Sequence, residues 1–112
     1  MREARIILPM RDNDGHSLEH VHTYLKQQLC LAFGGYTAIK SFGGWMDRKT
    51  GKLYEEEGTA YDIACDDTQV TTDVLVGLAQ ILINLASQEA IYLRLPNGDV
   101  QIVEPERMKE VA

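Results

Sequence analysis

Cysteine is scarce in this chain: Cys30 and Cys65 are the only two, far apart and outside any Cys-x-x-Cys or Cys/His spacing. Such spacing offers neither a disulfide framework nor a zinc finger. Two reduced, largely buried thiols of a cytoplasmic protein are the expectation, with one disulfide as the alternative. Long hydrophobic runs are missing as well. In "MREARIILPMRDND" the apolar run is five residues, too short for a secretory leader, and no stretch is long enough to span a membrane. Clustered positive charge is absent too. The 11 Lys and Arg residues are scattered singly against 17 Asp and Glu, giving a net charge of −6. Nucleic acid is therefore excluded as a partner, since phosphate binding draws on grouped Lys and Arg, and the acidity reads first as a device for solubility. The GxxxxGK[ST] phosphate loop is lacking, and no Ser, Thr or Cys stands in a nucleophile's setting. Cys30 falls late in an expected helix, where the dipole opposes a thiolate.

What is present is ordinary globular composition, 45% hydrophobic and 25% charged, over 112 residues. That length is read as a single domain spanning 1–112, with 104–112 as a C-terminal tail that is frayed or a short helix. The apolar run at 4–10 predicts a strand, after which Asn13 or Asp14 is positioned to cap a helix. From Ser17 to Phe33, Leu18, Val21, Leu25, Leu29, Ala32 and Phe33 recur at helical spacing, and Gly34-Gly35 ends the run. Residues 36–46 and 53–65 read as strands joined by the turn "DRKTGK", with Glu55-Glu56-Glu57-Gly58 as a bulge or wide loop in the second. "DDTQVTTD" opens a second helix reaching to about Ser87, with Asp66-Asp67 as a helix-start pair. Its main stripe is Thr71, Val74, Leu75, Leu78, Ile81, Leu82 and Leu85, and "AIYLRLPNGDVQIV" closes the chain as a hairpin. Strand, helix, strand, strand, helix, strand and one added strand pack most simply as an α+β ferredoxin-like β-α-β-β-α-β sandwich. Its sheet is antiparallel, with both helices on one face.

Several of these segments occur together elsewhere. "LAFGGYTAIKSFGGWMD", "GKLYEEE" and "SQEAIYLRLPNG" resemble a set of small bacterial and phage proteins of unknown function. In those a helix ends in Phe-Gly-Gly-[Tyr/Phe]-Thr, a Gly-x-Trp strand follows, and Gln-Glu-Ala-[Ile/Val] opens the last hairpin. The resemblance spans residues 5–103 and implies a ferredoxin-like fold and a prokaryotic or viral origin. It carries no chemistry.

Three groups of residues bear on function. "HSLEHVH" contains His-x-x-Glu-His, a zinc-peptidase spacing, but His16 precedes the helix and His22 lies beside the apolar stripe, so no metal is expected. Gly43-Gly44 inside a strand, beside Trp45 and with Tyr54 across the hairpin, leaves bare backbone next to aromatic rings. With Tyr36, these residues form a candidate ligand site. Glu55 and Glu57 face one way in an extended strand and form a candidate acid–base pair, with Arg48 to fix an anionic substrate; the simpler reading is a solvated edge.

The second helix carries an extra apolar strip of Val76, Ala79 and Ile83, and Leu31 also lies off its helix's main stripe. These four are the expected interface of a homo-oligomer. The leading function is a non-enzymatic binding protein without a cofactor, taking a small molecule near Trp45 or in an inter-subunit groove, or else a protein partner. The alternatives are a small enzyme built on Glu55 and Glu57, and a phage protein that sequesters a host factor or signalling molecule.

Overall fold

The structure, a computed structural model, describes residues 1–105. Its elements are β1 (Arg2–Pro9), α1 (Glu19–Phe33), β2 (Thr37–Met46), β3 (Leu53–Cys65), α2 (Gln69–Leu85), β4 (Ile91–Arg94) and β5 (Val100–Val103). The strands form one sheet in the order β2-β3-β1-β4-β5, every neighbouring pair antiparallel. This is the ferredoxin-like arrangement with β5 added at the edge. No helix among the described residues is long and apolar enough to cross a membrane. The terminal helix expected over 104–112 falls, from residue 106 onward, outside the described residues.

Period-two alternation places the core. Ala4, Ile6 and Leu8 of β1, Tyr61, Ile63 and Cys65 of β3, and Ile91 and Leu93 of β4 all point to the helix side and are buried. Leu18, Val21, Leu25 and Leu29 of the α1 region meet them, as do Leu75, Leu78 and Leu82 of α2. Each fully buried aliphatic side chain contributes about 1.5–3 kcal/mol. Among the described residues, no helix covers the other sheet face. Arg5 donates to Asp62 through two nitrogens there, at 2.6 and 2.9 Å, and that pair holds the Asp62 carboxyl below its usual range.

Four sequence expectations are revised. Helix α1 begins at Glu19 rather than after Asn13 or Asp14, because Asp12 folds the preceding loop onto itself. Its Oδ1 accepts from the backbone N–H groups of Asp14 and His16, at 2.9 and 2.8 Å. Secondly, the ladder between β2 and β3 continues through Glu55–Gly58 without a bulge. Buried Gly58 makes this possible: a Cβ there would stand 2.9 Å from the Leu8 carbonyl oxygen and from Ser41 Oγ. Thirdly, α2 is rotated from its expected orientation. Ala79 and Ile83 are buried, at 0% and 1% exposure, while Val74, Ile81 and Leu85 remain exposed. Finally, Cys30 is exposed; only Cys65 is buried, its thiol pushed up by burial, and neither forms a disulfide.

The start of α2 follows the expected logic more closely. The Thr68 hydroxyl accepts from the Thr71 N–H at 3.2 Å, and Asp66 accepts from the hydroxyls of Thr71 and Thr68. The last hairpin is wider than two residues, spanning Leu95–Asp99 with Gly98 at φ +95°.

Candidate functional site

Strands β2 and β3 run on past the two-layer body as a ribbon. Within β3, every residue from Leu53 to Glu57 is exposed, whereas Tyr61, Ile63 and Cys65 are buried. Directly opposed residues of an antiparallel pair share a face, so the register sorts the ribbon into two sides. On the helix side, Ala38, Lys40, Phe42, Gly44 and Met46 oppose Tyr61, Thr59, Glu57, Glu55 and Leu53. On the open side, Trp45 opposes Tyr54 and Gly43 opposes Glu56.

The helix side of the ribbon meets α1 in a crevice of about 440 Å³. One wall is a single stripe of α1, Glu19, His22, Thr23 and Lys26, at the i, i+3, i+4, i+7 spacing of one helical face. Lys40 and Thr59 form the other wall, above Tyr61, and Met10 and Ser17 close one end. Glu57 does not line this crevice; it follows on β3 two residues from Thr59, on the same face by register, and its carbonyl accepts from Met10 N–H at 3.0 Å. Phe42, 69% exposed, opposes it across the ribbon.

Beneath the crevice the geometry is tied down by a buried relay. His22 Nε2 lies 2.8 Å from the Pro9 carbonyl oxygen, and His22 Nδ1 lies 2.6 Å from the Tyr61 hydroxyl. A carbonyl only accepts, so Nε2 carries the proton. Nδ1 is then the acceptor, and the Tyr61 hydroxyl donates to it. Burial keeps both groups neutral: it lowers the His22 pKa and pushes Tyr61 up to about 12. The relay links α1 to the end of β1 and to β3, and so fixes the wall of the crevice against its floor.

The residues expected from the sequence are not one site. Trp45 and Tyr54 do pair, stacked at 4.6 Å between ring centroids with Lys52 Nζ 4.8 Å from the Tyr54 ring. Glu55 and Glu57 share a face, as expected, but it is the face opposite Trp45. Tyr36 packs edge-on against Tyr61, 5.6 Å away, at the far end of β2 from Trp45. Nine residues of strand separate Tyr36 from Trp45, roughly 30 Å. Arg48 lies at the ribbon tip, beyond Leu53, which is itself roughly 13 Å along the strand from Glu57. Gly43 has open space where a Cβ would stand, and Gly44 has only ordinary contacts, so neither marks a close approach.

The residues expected at an oligomer interface do not share one exposed surface. Ala79 and Ile83 pack into the core and cannot meet a second subunit, Val76 is half-buried against that core, and Leu31 remains 81% exposed. The histidines separate as well: His22 is buried, while His16 lies in the loop of Asp12, with Asp12, Asp14 and His16 ligand atoms within 4.8 Å of one another. The Asp12 carboxylate there is engaged by its own loop, and those hydrogen bonds hold its carboxyl below the usual range.

His22, Tyr61, Lys26, Lys40 and Thr59 escape sequence reasoning as a group. The one available hint was His22 standing next to an apolar stripe, where a buried ring needs partners for both nitrogens.

No protein-family model and no curated protein matches the chain. Two solved structures share its fold. One is a phage SAM lyase in the apo state, with a TM-score of 0.69, 18% identity, and coverage of 96% of this chain and 91% of that one. The other is a phage SAM lyase in complex with S-methyl-5'-thioadenosine, with a TM-score of 0.71, 17% identity, and coverage of 96% and 92%.

Proposed function

We propose that this chain binds S-adenosylmethionine and cleaves it to release S-methyl-5'-thioadenosine, using the crevice between α1 and the ribbon. The observation that carries this reading is the crevice itself, in a chain that shares its fold over 96% of its length with a lyase solved with that nucleoside; Glu57 is the carboxylate next along the same face of β3 from Thr59, which lines it. A volume of about 440 Å³ is within the range of about 300–1,000 Å³ used by small-molecule sites. The ligand bears a sulfonium and an ammonium against one carboxylate; the chain's net charge of −6 favours the approach of a cation, while the crevice lining itself carries Lys26 and Lys40 against Glu19.

The chemistry asks little of a protein. The bond between sulfur and the methionyl Cγ breaks, and its electron pair stays on sulfur, which departs as a neutral thioether without a general acid. The Cγ valence is satisfied by the substrate's own carboxylate oxygen or by loss of a Cβ proton to a base. Positive charge at sulfur fades along this path, so a carboxylate pressed against sulfur would favour the ground state and slow the reaction. Acceleration comes instead from holding the methionyl chain bent, and from a carboxylate beside the carbons. Glu57 is assigned that carboxylate role, with Glu55 next to it on the same face.

The association expected from the sequence moves to the ribbon, where Phe42, Met46 and Leu53 expose apolar surface on the helix side. We assign the homo-oligomer contact to these residues, with Leu31 as the retained member of the earlier set. Sedimentation as a strict monomer at micromolar concentration would remove it.

The decisive assay is direct. Purified protein incubated with S-adenosylmethionine is expected to form S-methyl-5'-thioadenosine by mass spectrometry, and Glu57→Gln is expected to slow this by about 100-fold or more. Affinity for the product should stay within about threefold. If the wild-type chain binds the substrate and leaves it intact, the cleavage reading is lost and binding alone stands.

A further inference from the structure

We infer that the crevice between α1 and the ribbon recognises a zwitterionic α-amino acid group, with Lys26 and Lys40 holding its carboxylate and Glu19 its ammonium. This deepens the proposed function, on which it rests: the group would be the methionyl end of S-adenosylmethionine. The nucleoside end, which S-methyl-5'-thioadenosine retains, would lie toward Phe42 and the mouth.

Charge placement carries the inference. Apart from Arg48, Lys49 and Lys52 in the turn at the ribbon tip, the basic residues are spread along the sequence, and two of them, Lys26 and Lys40, line this one crevice. Lys26 belongs to α1 and Lys40 to β2, so the crevice has one lysine on each of its two walls. Glu19 stands seven positions before Lys26, two turns along the same helical face. A crevice with cations from both walls and a carboxylate at one end is complementary to a group with a carboxylate and an ammonium a few ångströms apart. The hydroxyls of Ser17, Thr23 and Thr59 line the same space; those of Thr23 and Thr59 donate to the Glu19 carbonyl and Met10 sulfur and so face a ligand as acceptors, while Ser17 accepts from the Glu19 N–H and keeps its proton to donate.

The walls are held at a fixed spacing. His22 lies between Glu19 and Lys26 on the α1 stripe and is bonded to Pro9 and Tyr61, so the helix carrying one lysine is tied to the strands beside the other. The side chains that would touch the ligand are exposed, while the relay that positions them is buried. Lysine-to-glutamine changes therefore remove charge without disturbing the core.

The test compares ligands that differ only in this group. S-adenosylhomocysteine has the amino acid end but no sulfonium to cleave; S-methyl-5'-thioadenosine lacks that end; free methionine has it without the nucleoside. Calorimetric titration of the full chain is expected to show Lys26→Gln/Lys40→Gln weakening S-adenosylhomocysteine about tenfold or more. Affinity for S-methyl-5'-thioadenosine is expected to stay within twofold, with Lys49→Gln at the ribbon tip as a control that changes neither. Loss of both nucleosides to the same extent, or of neither, overturns the assignment while leaving the lyase reading intact. A wild-type chain that binds neither nucleoside overturns the lyase reading and this one with it. Methionine bound alone, with the same lysine dependence and no nucleoside affinity, would mark the crevice as a free amino acid site and refute the methionyl-end assignment.

Discussion

One strand, β3, belongs to two different environments. From Tyr61 to Cys65 its alternate side chains fill the core; from Leu53 to Glu57 none is buried, although the backbone ladder with β2 continues across both halves. Hydrogen bonding is therefore shared by the two halves, and hydrophobic burial is confined to one. The body supplies stability, and the ribbon extends a surface whose side chains are free of packing duty. Where a strand remains regular without a buried face, its residues are available to ligands or to another subunit.

The largest contrast is expected from truncation at matched positions. Ile63→Ala in the body should lower unfolding free energy by about 2–5 kcal/mol in urea titrations. At dilutions where the chain is monomeric, Phe42→Ala on the ribbon should change it by less than about 0.5 kcal/mol. Equal losses at that dilution would mean that the ribbon is packed against the chain's own body. Next in size is Gly58→Ala at the junction between the halves, with an expected cost of about 1–3 kcal/mol. A second change, Ser41→Gly, should recover only part of that loss, because the Leu8 carbonyl oxygen is backbone and cannot turn away.

The smallest effect concerns acid. Asp62 has a folded pKa below its unfolded value because Arg5 donates to it. Its contribution is complete above the unfolded value of about 4 and is lost as pH falls through the depressed folded value. Asp62→Asn should therefore flatten the acid limb of a stability–pH profile below about pH 4, by roughly 1 kcal/mol or less for a partly exposed pair.

The sheet was legible from the chain alone because its signal is local. The larger apolar residues Tyr61, Ile63 and Cys65 alternate with Ala60, Asp62 and Ala64, glycines end α1 at Gly34, and Asn97-Gly98 marks the last turn. The orientation of α2 was not legible, since Val74, Val76, Ala79, Ile81 and Ile83 place hydrocarbon on most of its circumference and leave the period ambiguous. The interruption expected at Glu55–Gly58 was misjudged for a physical reason: three carboxylates suggest a loop, while the deciding contact of Gly58 is with Leu8, fifty positions away. The crevice was hidden on the same principle. His22 and Tyr61 are partners across 39 positions, and neither residue alone signals a relay. The pairing of Glu55 with Glu57 on one face was readable, being a matter of strand geometry, but not which face of the ribbon Trp45 occupied.

The unequal thiols have a practical consequence. Cys65 lies within the core with its ionisation suppressed, while Cys30 sits near the solvent-facing end of α1. A maleimide dye or nitroxide added to the native protein should therefore attach at one position without mutagenesis. Distance measurements between such labels would test the proposed association of copies directly.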